Sequence, residues 1–91
     1  MADVIVKLKI MPKGPDVNLD ELAKAAKEKI EAAGGMVHKT EQEEVAFGLK
    51  ALIFVFLGDE KKINIDRIEA SLKELDEVST IDVIDVRRAF G

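Results

Sequence analysis

The sequence predicts an α+β domain whose strands and helices follow the order βαββαβ. Two observations support this order. Extended segments with apolar residues at alternate positions flank two segments in which apolar residues recur at helical spacing. A nearly continuous apolar run in the middle of the chain, Leu49–Leu57, is typical of a central strand that is covered on both sides. The order is that of a ferredoxin-like sandwich, a four-stranded antiparallel sheet with both helices on one face.

Length and composition indicate one globular domain. Residues 1–91 suffice for a single core but not for two. The chain has no cysteine, which excludes disulfides and a thiol nucleophile. The N-terminal residues show no signal-peptide pattern, and the longest apolar run is too short to cross a bilayer. We therefore expect a cytoplasmic protein that does not associate with membranes.

The first strand is predicted over Asp3–Met11, because apolar residues occupy every second position. Pro12–Val17 follows, and its Pro-Lys-Gly-Pro-Asp sequence cannot continue a hydrogen-bonded ladder, so a loop is expected there. The apolar face of this strand is expected to carry Val4, Val6, Leu8 and Ile10.

Two helices are predicted from their caps and apolar stripes. The first is expected to begin at Leu19, after the N-cap Asn18, and to end at Gly34-Gly35. The second is expected to follow the N-cap Asn64. The stripes comprise Leu19, Leu22, Ala23, Ala26, Ile30 and Ala33 in the first helix, and Ile65, Ile68, Leu72 and Leu75 in the second.

Three further strands complete the pattern. Met36–Glu44 is extended but polar, as suits an edge strand protected by charge. The connection Val45–Gly48 leads into the central strand Leu49–Leu57. The last strand is predicted over Val78–Val86. Alternation within it predicts Ile81 and Val83 on one face, with Val78, Ile84 and Val86 on the other.

The topology predicts a sheet with one open face. Right-handed crossovers place the first and third strands in the middle, and these are the most apolar strands. Because both helices cover one face, the other face is expected to be open. We expect that open face to carry Ile5, Leu52, Phe54 and Phe56 and to bind a partner.

The chain offers no constellation for bond-making chemistry. His38 is the sole histidine, and no cysteine or second histidine completes a metal site or a nucleophilic triad. Glu41, Glu43 and Glu44 lack the ligand periodicity of a calcium loop. No glycine-rich loop has the spacing of a nucleotide site. We therefore expect no metal, no cofactor and no enzymatic activity.

Two binding functions fit this fold class. In an RNA-binding module, Phe54 and Phe56 would stack on bases. The basic-Gly-aromatic signature of such modules is absent and the net charge is −4, so we expect no direct nucleic-acid contact. In a non-catalytic adaptor, the open sheet face would bind a protein partner.

Three segments of the chain resemble archaeal elongation factor 1-beta. They are Met11-Pro12 with Pro15–Leu19, the hairpin Val45–Leu52, and the ending Val78–Arg88. The resemblance extends over essentially the whole chain, in the same order. It implies a guanine-nucleotide exchange factor for elongation factor 1-alpha, the GTPase that delivers aminoacyl-tRNA to the ribosome. The partner is then this GTPase in its GDP-bound and nucleotide-free forms.

The resemblance also implies partner-binding residues. Phe47 matches a hairpin phenylalanine that, in eukaryotic relatives, wedges into a pocket of the GTPase, and Gly48 and Lys50 share that hairpin motif. The alternative for Phe47 is an aromatic side chain folded back on its own core. In those relatives a lysine next to the C-terminal residue reaches the Mg²⁺ site. Arg88 occupies the corresponding place, with Arg87 before it and residues 89–91 beyond.

Arginine differs from lysine in a way that leaves two actions open for Arg88. It retains the positive charge but presents a planar fork of donors instead of a compact ammonium. Arg88 is therefore expected either to displace Mg²⁺, as the lysine does, or to grip a phosphate or a carboxylate ligand of the ion. A purely structural role for Arg87 and Arg88, as polar residues at a strand end, is the alternative.

Overall fold

The elements follow the predicted order βαββαβ. The computed structural model describes residues 3–89, so Phe90 and Gly91, which the predicted tail includes, lie outside the described residues. Among residues 3–89, neither helix has the length and apolar composition needed to cross a bilayer. The elements are β1 (Asp3–Pro12), α1 (Leu19–Ala32), β2 (Met36–Glu44), β3 (Lys50–Asp59), α2 (Ile65–Lys73) and β4 (Val78–Ala89), with a 3₁₀ turn at Ala46–Gly48 between β2 and β3.

The four strands form one antiparallel sheet in the order β2-β3-β1-β4. The prediction that the first and third strands lie in the middle is therefore confirmed. β2 and β4 form the edges. With both helices packed on one face of this sheet, the architecture is the predicted ferredoxin-like α+β sandwich.

Three strands extend further than predicted. β3 is displaced along the chain, from the predicted Leu49–Leu57 to Lys50–Asp59. β1 includes Pro12, which pairs with Val78 at the start of β4. β4 continues to Ala89 instead of ending at Val86, because its last residues pair with the beginning of β1. Arg87 and Arg88 therefore lie within a paired strand.

Both helices begin at their predicted caps. Asn18 Oδ1 accepts a hydrogen bond from the backbone amide of Asp20 at 3.1 Å, and Asn64 Oδ1 accepts one from the amide of Arg67 at 3.1 Å. The first helix ends before Gly34, whose φ is +95°. The predicted apolar stripes face the sheet, with Leu22, Ala26, Ile30, Ile68 and Leu72 buried.

The core lies between the helices and the face of the sheet that carries the phenylalanines. Leu8 in β1 pairs directly with Phe54 in β3, and both are fully buried. The expectation that Leu52, Phe54 and Phe56 lie on the open face is wrong, and of the four residues expected there only Ile5 lies on it. Both faces of β3 are apolar, so its own alternation does not identify the covered one. The pairing of β3 with β1, which has only one uniformly apolar face, determines which face of β3 the helices cover.

The open face is partly covered by its own charged side chains. Lys9 and Glu43 belong to the strands on either side of β3, and their Nζ and Oε2 atoms approach to 3.4 Å across it. Ala51 and Ile53 lie between them and are 0% and 9% exposed. The open face is therefore not the continuous apolar surface that was expected.

A β-bulge changes which residues of β4 face the core. Ile84 is an extra residue between two paired positions, so the alternation reverses after it. Val86 consequently lies on the helix-covered side. A second register shift near the start of β4 places Val78 on that side as well. The prediction that Val78 and Val86 lie opposite Ile81 and Val83 is therefore wrong.

Candidate functional site

The β2–β3 hairpin turn holds the first group of candidate residues. The backbone amide of Val45 donates to the carbonyl oxygen of Leu49 at 2.9 Å, and the amide of Leu49 donates to that of Ala46 at 3.2 Å. Between these bonds, Phe47 has φ +61° and ψ +34°, and Gly48 has φ +75°. Two consecutive residues in the left-handed region reverse the chain within this short turn.

Phe47 is the prominent feature of this turn. Its side chain is 95% exposed, and among the described residues it is the only non-glycine residue with positive φ. Left-handed backbone costs a residue with a Cβ about 1–2 kcal/mol, and exposing an aromatic ring adds nothing to the core. The exposure excludes the alternative in which Phe47 folds back on the core. Backbone strain at an exposed aromatic residue points to a use outside folding.

Gly48 and Lys50 complete the hairpin group. A Cβ added at Gly48 would meet no atom within 4 Å, so only the backbone angle constrains this position. Lys50 is exposed at the start of β3, on the same side of the sheet as the helices. It lines a shallow pocket of about 280 Å³ with Asn18 and Gln42. The hairpin thus lies beside the N-terminus of α1.

Arg87 and Arg88 form the second group and project to opposite faces of the sheet. Arg88 pairs with Val4, whose side chain belongs to the core face, whereas Arg87 pairs with Ile5 on the open face. If side chains alternated without interruption from the core residues Ile81 and Val83, Arg87 would lie on the core face and Arg88 on the open face. The bulge at Ile84 therefore determines which arginine lies on the helix side.

Each arginine has a carboxylate partner. Arg87 Nε lies 2.7 Å from Asp85 Oδ2, and Arg88 Nε lies 3.1 Å from Glu60 Oε2. The arginine side chains are 76% and 67% exposed. Sequence reasoning did not identify Glu60, because it lies 28 positions from Arg88 and no local pattern connects the two. Both guanidinium groups thus remain accessible to a partner.

The two groups lie at opposite ends of the sheet. β3 runs from Lys50, beside the hairpin, to Gly58. Gly58 pairs with Val4 in β1, and Val4 pairs with Arg88 in β4, so Gly58 and Arg88 lie at the same end of the sheet. Eight residues at roughly 3.3 Å each separate Lys50 from Gly58 by about 26 Å. The long dimension of the molecule is 42 Å. A partner that touches both Phe47 and Arg88 must therefore bind along the length of the domain.

The described residues contain no evident metal site. Within residues 3–89, no group of three or more His, Asp or Glu side chains is arranged to hold a metal ion.

The fold and the two groups of residues define a ferredoxin-like α+β domain. It has an exposed aromatic residue in the hairpin at one end and, at the other end, two arginines that each contact a carboxylate. A solved structure titled de novo designed protein Foldit4 has a similar fold, with a TM-score of 0.66 over 98% of both chains. Its sequence is 21% identical, so this likeness supports the fold alone.

Sequence relatives identify the family. Residues 5–89 match the model of the EF-1 guanine nucleotide exchange domain. Elongation factor 1-beta of Methanothermobacter thermautotrophicus is 43% identical, over 97% of this chain and 98% of the relative. The proteins of the same name from Methanocaldococcus jannaschii and Pyrococcus abyssi are 36% and 39% identical, covering 98% and 94% of this chain and 100% and 94% of their own.

The chain therefore belongs to the EF-1 guanine nucleotide exchange domain family, which confirms the resemblance inferred from its motifs. Membership supports a nucleotide-exchange role in translation elongation.

Proposed function

We propose that this chain accelerates the release of GDP from elongation factor 1-alpha, so that GTP can bind and the GTPase can again carry aminoacyl-tRNA. The work would take place in the cytoplasm, where the ribosome operates. Family membership supports the exchange role, and one structural observation favours a protein partner: Phe47 is 95% exposed on left-handed backbone. A fold gains nothing from that arrangement, whereas a partner with a pocket does.

Exchange requires a difference in binding and no covalent step. A factor that binds the nucleotide-free GTPase more tightly than the GDP form weakens GDP binding by the same ratio, because the two affinities are linked. The chain therefore needs no nucleotide site of its own. The surface offers two exposed groups that a partner could contact, the Phe47 ring and the Arg88 guanidinium.

Phe47 serves as the binding anchor in this proposal. An aromatic side chain that enters a partner pocket contributes about 2 kcal/mol or more to binding. The ring is already held outward by the turn, whose ends are joined by the Val45–Leu49 hydrogen bond of 2.9 Å. Binding therefore requires little reorganisation of the hairpin.

Arg88 acts on the nucleotide in this proposal. GTPases hold Mg²⁺ against the nucleotide phosphates, and disturbing that arrangement loosens the nucleotide. The planar guanidinium suits two oxygens of a phosphate or carboxylate better than it suits the position of a compact cation. We therefore favour a grip on a phosphate, or on a carboxylate ligand of the ion, over direct replacement of Mg²⁺.

The burial of the phenylalanines bears on both alternative functions. Phe54 and Phe56 are fully buried, which removes the stacking surface on which the RNA-binding alternative depended. The adaptor alternative relied on an open apolar face. That face keeps the apolar side chains of β3, but the Lys9–Glu43 ion pair crosses it and interrupts the continuous apolar surface that the adaptor alternative requires.

A GDP-release assay tests the proposal. Elongation factor 1-alpha from the same organism is loaded with fluorescently labelled GDP, and the release rate is followed against the concentration of this chain, with unlabelled GDP in excess. We expect acceleration that saturates with concentration. Complex formation with an unchanged release rate would support the adaptor instead. Calorimetry of the chain alone with GDP should show no binding, and stoichiometric binding would contradict the proposal.

A further inference from the structure

Glu60 contacts the Nε side of the Arg88 guanidinium. Arg88 Nε donates a hydrogen bond of 3.1 Å to Glu60 Oε2. Within the described residues, the two terminal nitrogens of Arg88 have no hydrogen-bond partner. The Glu60 side chain is 29% exposed and that of Arg88 is 67% exposed. The carboxylate therefore bonds the Nε side of the guanidinium, while the end that carries the two terminal nitrogens faces solvent.

The turn that carries Glu60 is closed by its own hydrogen bonds. Asp59 Oδ1 accepts the amide hydrogen of Lys61 at 2.9 Å, and the Asp59 carbonyl oxygen accepts that of Ile63 at 2.8 Å. A Cβ at Gly58 would come within 2.5 Å of Ile63 Cδ1, so the turn packs tightly against the end of β3. Glu60 thus projects from a turn that hydrogen bonds and side-chain packing hold together.

The β-bulge at Ile84, and not the turn that carries Glu60, determines the side of the sheet on which Arg88 lies. Without the bulge at Ile84, continued alternation would bring Arg87 to the helix side, where Glu60 is, and would move Arg88 to the open face. The contact between Glu60 and Arg88 therefore depends on two independent features, the turn after β3 and the bulge in β4.

We propose that Glu60 is a positioning residue for Arg88 in the exchange step, an inference that rests on the proposed function. By holding Nε, the carboxylate fixes the rotation of the planar guanidinium and directs both terminal nitrogens outward. Two parallel donors in that orientation match two oxygens of a phosphate or a carboxylate. An arginine without this support would have to be ordered during exchange, which slows that step.

The ion pair itself contributes little to the fold. Exposed ion pairs stabilise proteins only weakly, so removing Glu60 is expected to leave the unfolding free energy nearly unchanged. A change in exchange rate can then be assigned to the orientation of Arg88. A matched control is Glu74, which forms an exposed ion pair with Lys29 at 3.6 Å and lies just before the start of β4, whereas Arg88 lies near the end of that strand.

The test compares GDP release from elongation factor 1-alpha in the presence of the wild-type chain, Glu60→Ala, Glu60→Gln and Glu74→Ala. We expect Glu60→Ala to lower the maximal release rate about threefold to tenfold, with an unchanged half-saturating concentration. Glu60→Gln retains an acceptor oxygen and should recover most of the rate. Glu74→Ala should match the wild type. Denaturant unfolding of each variant checks that the fold is intact.

A double variant separates positioning from general damage. If Glu60 acts only through Arg88, then Glu60→Ala combined with Arg88→Ala should be no slower than Arg88→Ala alone. Additive losses, or full activity of Glu60→Ala beside an active wild type, would overturn this inference and leave the proposed function standing. A wild-type chain that does not accelerate release would overturn both.

Discussion

Phe47 and Gly48 are consecutive residues that share left-handed backbone, with φ of +61° and +75°. Gly48 adopts it without a Cβ penalty, whereas Phe47 carries both the strain and a ring that is 95% exposed. The strain is local, since hydrogen bonds between Val45 and Leu49 and between Leu49 and Ala46 close the turn. Substitutions at these two positions can therefore separate the stability of the fold from the binding of a partner.

Replacing Phe47 should weaken exchange without harming the fold. Phe47→Gly relieves about 1–2 kcal/mol of left-handed strain, against about 0.5–1 kcal/mol of added chain entropy, so a net gain in unfolding free energy is expected. Phe47→Ala should change it far less than the ~3–5 kcal/mol of a core Phe→Ala. Both variants should need roughly thirtyfold more protein for half-maximal GDP release. Urea unfolding and release titrations measure the two effects, and a large stability loss with normal exchange would contradict the role of Phe47 as a binding anchor.

Substitutions at Gly48 should follow the backbone angle and not the size of the side chain. A Cβ there meets no atom within 4 Å, so Gly48→Ala is expected to lose roughly 1 kcal/mol of stability through its positive φ alone. Gly48→Asn should lose clearly less, because asparagine tolerates left-handed backbone better. Thermal and urea unfolding compare the two. If the larger asparagine proved the more damaging, the hairpin would be limited by space instead of conformation.

Arg88 should affect the rate of exchange more than the affinity of the complex. Arg88→Ala removes a group that we propose acts in the exchange step, so the maximal release rate should fall while complex formation is largely retained. Arg88→Lys distinguishes the two actions. If Arg88 grips two oxygens with its planar guanidinium, lysine should restore little of the rate. If Arg88 displaces Mg²⁺, the compact ammonium of lysine should restore most of the rate. Release kinetics and calorimetric affinity provide the comparison, and equal losses in both would make Arg88 an ordinary interface residue.

The two faces of β3 should differ in their sensitivity to truncation. Phe54 is fully buried beneath the helices, so Phe54→Ala should cost ~3–5 kcal/mol of unfolding free energy. Val55 is next to it on the open face and is only partly buried. Val55→Ala should cost roughly 1 kcal/mol or less, since less apolar area leaves the interior. Denaturant midpoints compare the two variants, and similar costs would mean that the open face is also covered.

The features that the sequence determined by itself depend on interactions within a few residues. Asn18 and Asn64 start the helices because each side chain bonds an amide in the first turn that follows it. The hairpin connection that holds Phe47 was predicted because it lies between two strand patterns and contains Gly48. The order of elements and the central place of the first and third strands followed from periodicity and the handedness of crossovers.

Only the tertiary structure decided which face of β3 is covered, where Arg88 points and what holds it. Both faces of β3 are apolar, so the choice came from its pairing with β1, where one face is apolar and the other carries Lys7 and Lys9. The bulge at Ile84 is invisible to an alternation rule, because an extra residue exists only relative to the partner strand. Glu60 and Arg88 are 28 positions apart in the chain, and they meet because β1 pairs with both β3 and β4. That spacing carries no periodic signal in the sequence.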